Sequence, residues 1–268
     1  MAELEIGVIG AAGRMGAAVV HEIFDTEGCA LVAAADVAGH PAIGEDAGSR
    51  AGVGALGIPI GDDPARVFER ARVAIEFSLP DATTRHAAMA GEAGTPHVIG
   101  TTGLDAAQER AIGEAAQGAP IVIAPNMSLA VNILFALTRQ VAGILDDRFD
   151  IEIVEMHHKH KVDAPSGTAI GLGRAAAEGR GVALDAVSRM TREGHTGARG
   201  QGDIGFAVLR GGDVVGDHSV VFAVEGERLE LAHKASSRRI FSRGAVHAAR
   251  WAADQEPGLY GMADVLGL

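Results

Sequence analysis

The stretch LEIGVIGAAGRMG (Leu4 to Gly16) constrains the fold more than any other part of the chain. Leu4 to Ile9 is a short apolar run of strand length, and from Met15 to Phe24 apolar residues recur at helical spacing. Between them Gly10, Gly13 and Gly16 remove every side chain that would keep a strand and a helix apart. A second apolar run, Cys29 to Ala35, then ends on Asp36, twenty residues past Gly16 (36 minus 16). Strand, glycine turn, helix and strand make a β-α-β unit, whose parallel strands belong in a sheet covered on both faces.

The same turn predicts a ligand. A pyrophosphate needs close backbone approach and open helix N-terminal amides, which Gly10, Ala11, Ala12, Gly13, Arg14, Met15 and Gly16 offer together. The Asp36 carboxylate is placed to accept hydrogen bonds from the ribose hydroxyls of a dinucleotide. As a bare pattern GxxGxxG is weak and also describes a turn that merely packs a helix on a sheet; the flanking strand, helix and acid give it weight. Val37, Ala38 and Gly39 bring no cation for a 2′-phosphate, so NADH is expected to bind at least as well as NADPH, while Arg14 keeps dual use open.

Further units follow: strand Val73 to Pro80 before helix Ala82 to Ala93, strand His97 to Gly103 before helix Asp105 to Ala116, and strand Ile121 to Asn126. Alternation of this kind predicts an α/β fold with a Rossmann-type doubly wound parallel sheet, in which ligands meet the carboxyl ends of the strands. Phe77, Ser78, Thr101, Thr102 and Gly103 are therefore expected near a nicotinamide, with plain strand-end packing as the alternative. Asn126 and Met127 stand where a hinge between domains is expected.

Beyond about residue 126 the rhythm changes to a helix from Leu129 to Leu145, a strand from Asp150 to His158 and a helix from Thr168 to Ala177. Ile204 to Arg210, His218 to Gly226 and Arg228 to Ala235 alternate apolar and polar residues as antiparallel strands do. A smaller α+β domain with an open mixed or antiparallel sheet is expected over 128–238, serving substrate binding and oligomerisation. Residues 1–127 and 239–268 would form the dinucleotide-binding domain, with a last helix from Ser242 to Ala253. Arg192 to Gly205, with five glycines, reads as a mobile loop.

Composition excludes several classes. A hydrophobic content of 47% across 268 residues supports a buried core rather than disorder. Cys29 stands alone, so no internal disulfide is available, and without a basic leader or a long apolar run a cytoplasmic protein is expected. A formal net charge of -12 argues against a general nucleic-acid binder, so any anion must meet a local site.

One such site is visible in EMHHKHKVDAPSGTA (Glu155 to Ala169), with three histidines and two lysines in five positions. Three readings compete: a solvated basic loop, a metal site, and an anion-binding catalytic site. Against a metal, neighbouring histidines on a strand point to opposite faces and no Cys or HExxH completes a shell. For catalysis, Asp163-Ala-Pro165 turns the chain and Ser166 caps a helix whose amides would face a docked carboxylate beside Lys161.

EMHHKHKVDAPSGTA closely resembles the signature of the dihydrodipicolinate reductase family. VIGAAGRMG is similar to the family's cofactor turn, GTTG (Gly100 to Gly103) and APNMSLAVN (Ala124 to Asn132) to its nicotinamide-side loops, and REGHTG, RGGDVVGDHSV and AHKASSR to its C-terminal half. The resemblance implies NADH- or NADPH-dependent reduction of 4-hydroxy-tetrahydrodipicolinate, a cyclic dicarboxylate, in lysine biosynthesis. It adds Gly100, Ala124 and Pro125 to the cofactor-side residues. It implies His157 as general acid with Lys161 as partner, and His158, Ser166, Gly167 and Thr168 as holders of one carboxylate, with Arg238 as a second grip. It also implies a homotetramer, while the spacing of the histidines leads to the expectation of no metal. The rivals are another Rossmann-type dehydrogenase of a semialdehyde or sugar and a non-catalytic NAD(H)-sensing module, neither of which needs HHKHK ahead of a helix cap.

Overall fold

Residues 3–268 are described in a computed structural model, and they divide into two units, 3–128 with 239–268, and 129–238. The first opens with β1 (Leu4–Ile9), α1 (Arg14–Asp25) and β2 (Cys29–Ala35), bounded almost as the glycine turn and the apolar runs predict. Next come α2 (Ala47–Ala51), β3 (Ile60–Gly61) and α3 (Ala65–Arg70), which the sequence reading does not anticipate. Elements of two to six residues show no periodicity; this segment is organised instead by Asp46, whose carboxylate accepts from the amides of Ser49, Leu56, Gly57 and Ile58. Those amides, Ser49 first, hold the Asp46 carboxyl down to about 2.

β4 (Val73–Glu76), α4 (Pro80–Ala93), β5 (His97–Ile99), α5 (Ala106–Ala115) and β6 (Pro120–Ile123) continue the alternation. Three predicted strands are shorter than expected: Phe77 and Ser78, Thr101 to Gly103, and Ala124 to Asn126 lie beyond the strand ends, in the connections. Pro80 accounts for the first, since it stands at the first position of α4. α5 starts on a capping box between Asp105 and Gln108, which fixes its N-terminus. The unit is completed by α9 (Arg239–Ala252), β12 (Gly258–Tyr260) and α10 (Met262–Leu266).

Its seven strands, in the order β12-β6-β5-β4-β1-β2-β3, are all parallel. Strand order reverses between β1 and β4, which is where a doubly wound sheet opens a crevice at its carboxyl edge. Ile6, Val8, Val73, Ile75, Val98 and Ile121 are fully buried, as a sheet covered on both faces requires.

The second unit is built from α6 (Leu129–Ile144), β7 (Asp150–His157), α7 (Gly167–Gly179), α8 (Leu184–Val187), β8 (Ser188–Arg189), β9 (Ile204–Arg210), β10 (Gly216–Val224) and β11 (Glu227–Ala235). The sheet order is β11-β10-β7-β9-β8. β10 runs antiparallel to β7 and β11, but β9 runs parallel to β7, which corrects the antiparallel expectation for Ile204 to Arg210. Alternation identifies a half-buried strand and is silent on its direction. The loop before β9 is tied to β7 by ion pairs that the sequence reading does not anticipate: Arg192 and Arg199 both clasp Glu152, and Arg199 reaches Asp150.

β7 alternates in burial residue by residue. Ile151 and Ile153 pack with Leu134, Leu172, Phe206 and Phe222 in one core. Period two then carries Glu155 and His157 onto that same face at the strand's end, with His158 just past it.

Candidate active site

The glycine turn of the first unit fits a dinucleotide. Gly10 has φ of 78°, a left-handed value, and a Cβ there would lie 2.4 Å from the Phe77 carbonyl oxygen. A Cβ on Gly16 would lie 2.0 Å from the Gly10 carbonyl oxygen, so α1 packs on the turn only because Gly16 is bare. Gly13 caps α1 without a side-chain acceptor, leaving its first-turn amides for an anion. Asp36 Oδ2 accepts from the Ala12 amide at 2.8 Å and Oδ1 from the Val37 amide at 2.8 Å, fixing the carboxylate against the turn.

Around this turn the connections converge. The Gly100 amide donates to Glu76 O, and a Cβ on Gly100 would strike the Phe77 ring. The Ser78 amide donates to Thr101 Oγ1 at 3.2 Å, and the Asn126 side chain accepts from the Ser128 amide at 2.9 Å. Ala124 and Met127 are buried, whereas Thr102, Gly103 and Pro125 are exposed. Beneath them Glu76 is fully buried, accepting from Thr83 and from His86 Nδ1 at 2.7 Å, with His97 Nε2 at 2.9 Å. Burial pushes its carboxyl up, but the hydrogen bonds and charge of His86 and His97 outweigh that and hold it well below the usual range.

In the second unit the face of β7 that carries Ile153 ends in a carboxylate and an imidazole. Glu155 Oε2 lies 2.5 Å from His157 Nδ1, and Glu155 Oε1 accepts from the Ser166 amide at 3.0 Å. Arg210 clasps the same carboxylate with two nitrogens, at 2.8 and 2.9 Å. Burial pushes the Glu155 carboxyl up, and the hydrogen bonds of Arg210, His157 and Ser166 together bring it below its ordinary value. Glu155 therefore stays ionised and holds the His157 ring through Nδ1. A Cβ on Gly216 would lie 3.0 Å from His157 Nε2, so a glycine keeps the nitrogen clear.

The helix cap is built as the sequence predicts, with Ser166 Oγ accepting from the Ala169 amide. Ser166 Oγ also lies 3.0 Å from His218 Nε2. With its amide and hydroxyl both engaged, Ser166 positions the N-terminus of α7, while Gly167 stands exposed with open space where a side chain would be. Lys161 Nζ is 2.8 Å from Asp163 Oδ1, and Arg238 Nη2 is 3.3 Å from His158 Nε2. Burial first, then the charges of Arg238 and His160, lower the His158 pKa. Thus His157, His158, Lys161, Ser166, Gly167, Thr168 and Arg238 all belong to one unit, around the end of β7 and the start of α7.

Two family models match the chain, one described as the N-terminus of dihydrodipicolinate reductase over residues 4–127 and one as its C-terminus over residues 130–266. The chain belongs to the dihydrodipicolinate reductase family. Within that family it is 52% identical to the 4-hydroxy-tetrahydrodipicolinate reductase of Magnetococcus marinus over 98% of both chains. It is 55% identical to that of Parvibaculum lavamentivorans, over 100% of this chain and 99% of the relative. The dipicolinate-bound dihydrodipicolinate reductase of Paenisporosarcina sp. TG-14 has the same fold, with a TM-score of 0.74 at 24% identity over 98% of each chain.

For a dihydrodipicolinate reductase fold, the residues missed by sequence reading are Glu155, Arg210 and His218. Glu155 lay within reach, because period two on β7 places it on the face of His157. Arg210 and His218 did not, because they reach the site only through sheet register, Arg210 opposite His157 and His218 opposite Glu155. Among the described residues, no group of three or more His, Cys, Asp or Glu is placed to hold a metal ion, and no helix is long and apolar enough to cross a membrane.

His218 gives a pH prediction. Burial, then the neighbouring His157, push its pKa from 6.5 down to about 4. A base with a depressed folded pKa binds fewer protons folded than unfolded, so stability falls as pH drops from 6.5 toward 4. Between pH 7 and 5 this group is expected to cost roughly 2 kcal/mol. His218→Gln should flatten the thermal-stability profile over that interval; an unchanged slope would show that His218 does not titrate as described.

Proposed function

We propose that the chain is an NAD(P)H-dependent reductase that converts 4-hydroxy-tetrahydrodipicolinate, with loss of water, to tetrahydrodipicolinate in the diaminopimelate route to lysine. The observation that carries this reading is the Glu155–His157 pair, set beside the N-terminus of α7 and the Lys161 ammonium group. When bound, the reduced nicotinamide supplies a hydride to the substrate ring. Glu155 supports the protonated His157 imidazole, so a proton leaves from Nε2 toward the ring as it becomes electron-rich. Lys161 exchanges Asp163 for the developing negative charge. Gly167 and Thr168 at the helix N-terminus, with His158 and Arg238, hold the carboxylates.

The glycine turn and Asp36 support an NADH or dual-cofactor enzyme. Gly10, Ala11, Ala12, Gly13, Arg14, Met15 and Gly16 would take the pyrophosphate. Phe77, Ser78, Gly100 to Gly103 and Ala124 to Met127 would line the nicotinamide side. A cytoplasmic homotetramer completes the reading. It is supported by the open face of the second sheet, where Val154, Met156, Leu209 and Val221 share one side and Leu209 is 51% exposed. Light scattering at monomer mass would contradict that assembly.

Steady-state oxidation of NADH and of NADPH with enzymatically generated substrate tests the activity. Turnover with NADH at least comparable to NADPH is expected. No oxidation of either would reject the reductase, and turnover with NADPH alone would reject the role given to Asp36.

A further inference from the structure

Asp36 and Arg50 hold the two sides of one residue in the glycine turn. Asp36 Oδ2 takes the Ala12 amide at 2.8 Å, and Arg50 Nε donates to the Ala12 carbonyl at 3.0 Å. A fixed cation therefore stands one residue from the acid that would meet the adenosine ribose. Its position is built rather than incidental. Arg50 lies on α2, which Asp46 caps and which is tied to α1 where His21 Nδ1 lies 3.2 Å from the Ala51 carbonyl. Arg50 Nη1 donates to Glu45 Oε2 at 2.9 Å, and Nη2 makes no hydrogen bond to any described residue. Asp36 and Arg50 are not paired with each other: the carboxylate spends its oxygens on amides, and the guanidinium turns to a carbonyl and to Glu45.

We infer that Arg50 is the residue that sets nicotinamide-cofactor choice in this chain, its guanidinium receiving an adenosine 2′-phosphate beside Asp36, with Glu45 as the internal competitor for that cation. This rests on the reading that the glycine turn binds a dinucleotide. Without Arg50 the acids Asp36 and Glu45 would meet a dianionic phosphate with Arg14 as the one cation of the glycine turn, since Val37, Ala38 and Gly39 add no positive charge. With it, a planar guanidinium can pair with phosphate oxygens while Asp36 still serves a ribose hydroxyl when the phosphate is absent. Arg50 is also far along the sequence from Asp36, so inspection of the residues that follow the acid does not find it.

The test is calorimetric titration of NADH, NADPH, ADP and 2′,5′-ADP into the full-length protein, wild type and variants. Arg50→Leu should raise the ratio of the NADPH to the NADH dissociation constant by about tenfold or more, and shift 2′,5′-ADP against ADP in parallel. Arg50→Lys should restore most of the ratio by keeping the charge, and Glu45→Gln should move it severalfold the other way. A ratio that does not move in Arg50→Leu, whether both affinities hold or both fall equally, would overturn the inference and leave Arg50 as a prop for the turn. If Arg50→Leu fails to fold, the Glu45→Gln shift alone decides. Wild type that binds none of the four ligands would instead reject the dinucleotide reading itself.

Discussion

Lys161→Ala is expected to lower kcat with the cyclic dicarboxylate by about 10²- to 10⁴-fold, the range in which positioned proton-transfer and charge-stabilising groups act. The Lys161 side chain is 21% exposed and its ammonium is held by Asp163 at 2.8 Å, while its amide closes a turn on the His158 carbonyl. The turn is a backbone feature that alanine keeps, so the loop should hold its shape. The glycine turn and Lys161 belong to different units, so NADH should bind with a dissociation constant within about threefold of wild type, as expected for independent sites. The combination separates a reductase from a nucleotide sensor. Near wild-type turnover in Lys161→Ala would remove the lysine from the chemistry and leave the positive cluster as an electrostatic surface.

Glu155 is expected to matter as much for stability as for rate. It is 1% exposed and receives His157, the Ser166 amide and two nitrogens of Arg210. Glu155→Ala removes one partner of a buried network and strands the guanidinium, which should cost about 3–5 kcal/mol in unfolding free energy. Glu155→Gln keeps the volume and some of the hydrogen bonds, so it should fold with a smaller loss. Its kcat should still drop about 10²-fold, because a neutral amide does not hold a protonated imidazole as a carboxylate does. Since Glu155 acts through His157, KM for the substrate should change much less than kcat. Denaturant melts and steady-state kinetics on both variants check this; a Glu155→Gln enzyme with unaltered kcat would show the pair to be structural only.

Legibility in the sequence followed element length and locality. β1, α1 and β2 were readable almost to the residue, because a glycine turn sits between segments long enough to show two distinct periods. The stretch from Asp46 to Ile58 was not, because one aspartate gathers amides there from up to twelve residues away. The direction of β9 was hidden for a similar reason, as strand pairing is a long-range choice. In the candidate site, the basic stretch announced itself by composition. Arg210 and His218, which complete the hydrogen bonding of Glu155 and Ser166, arrive from strands fifty or more residues away: 55 for Arg210 to Glu155 and 52 for His218 to Ser166.

The central claim is that a doubly negative ring is held at the end of β7 and the start of α7 by imidazole, ammonium and helix-terminal amides acting together. Calorimetric titration of dipicolinate against picolinate, which lacks one carboxylate, addresses it most directly. Dipicolinate should bind at least about tenfold more tightly, with an advantage that shrinks as salt is raised. Equal affinity for the two acids, or no binding of either, would contradict the account.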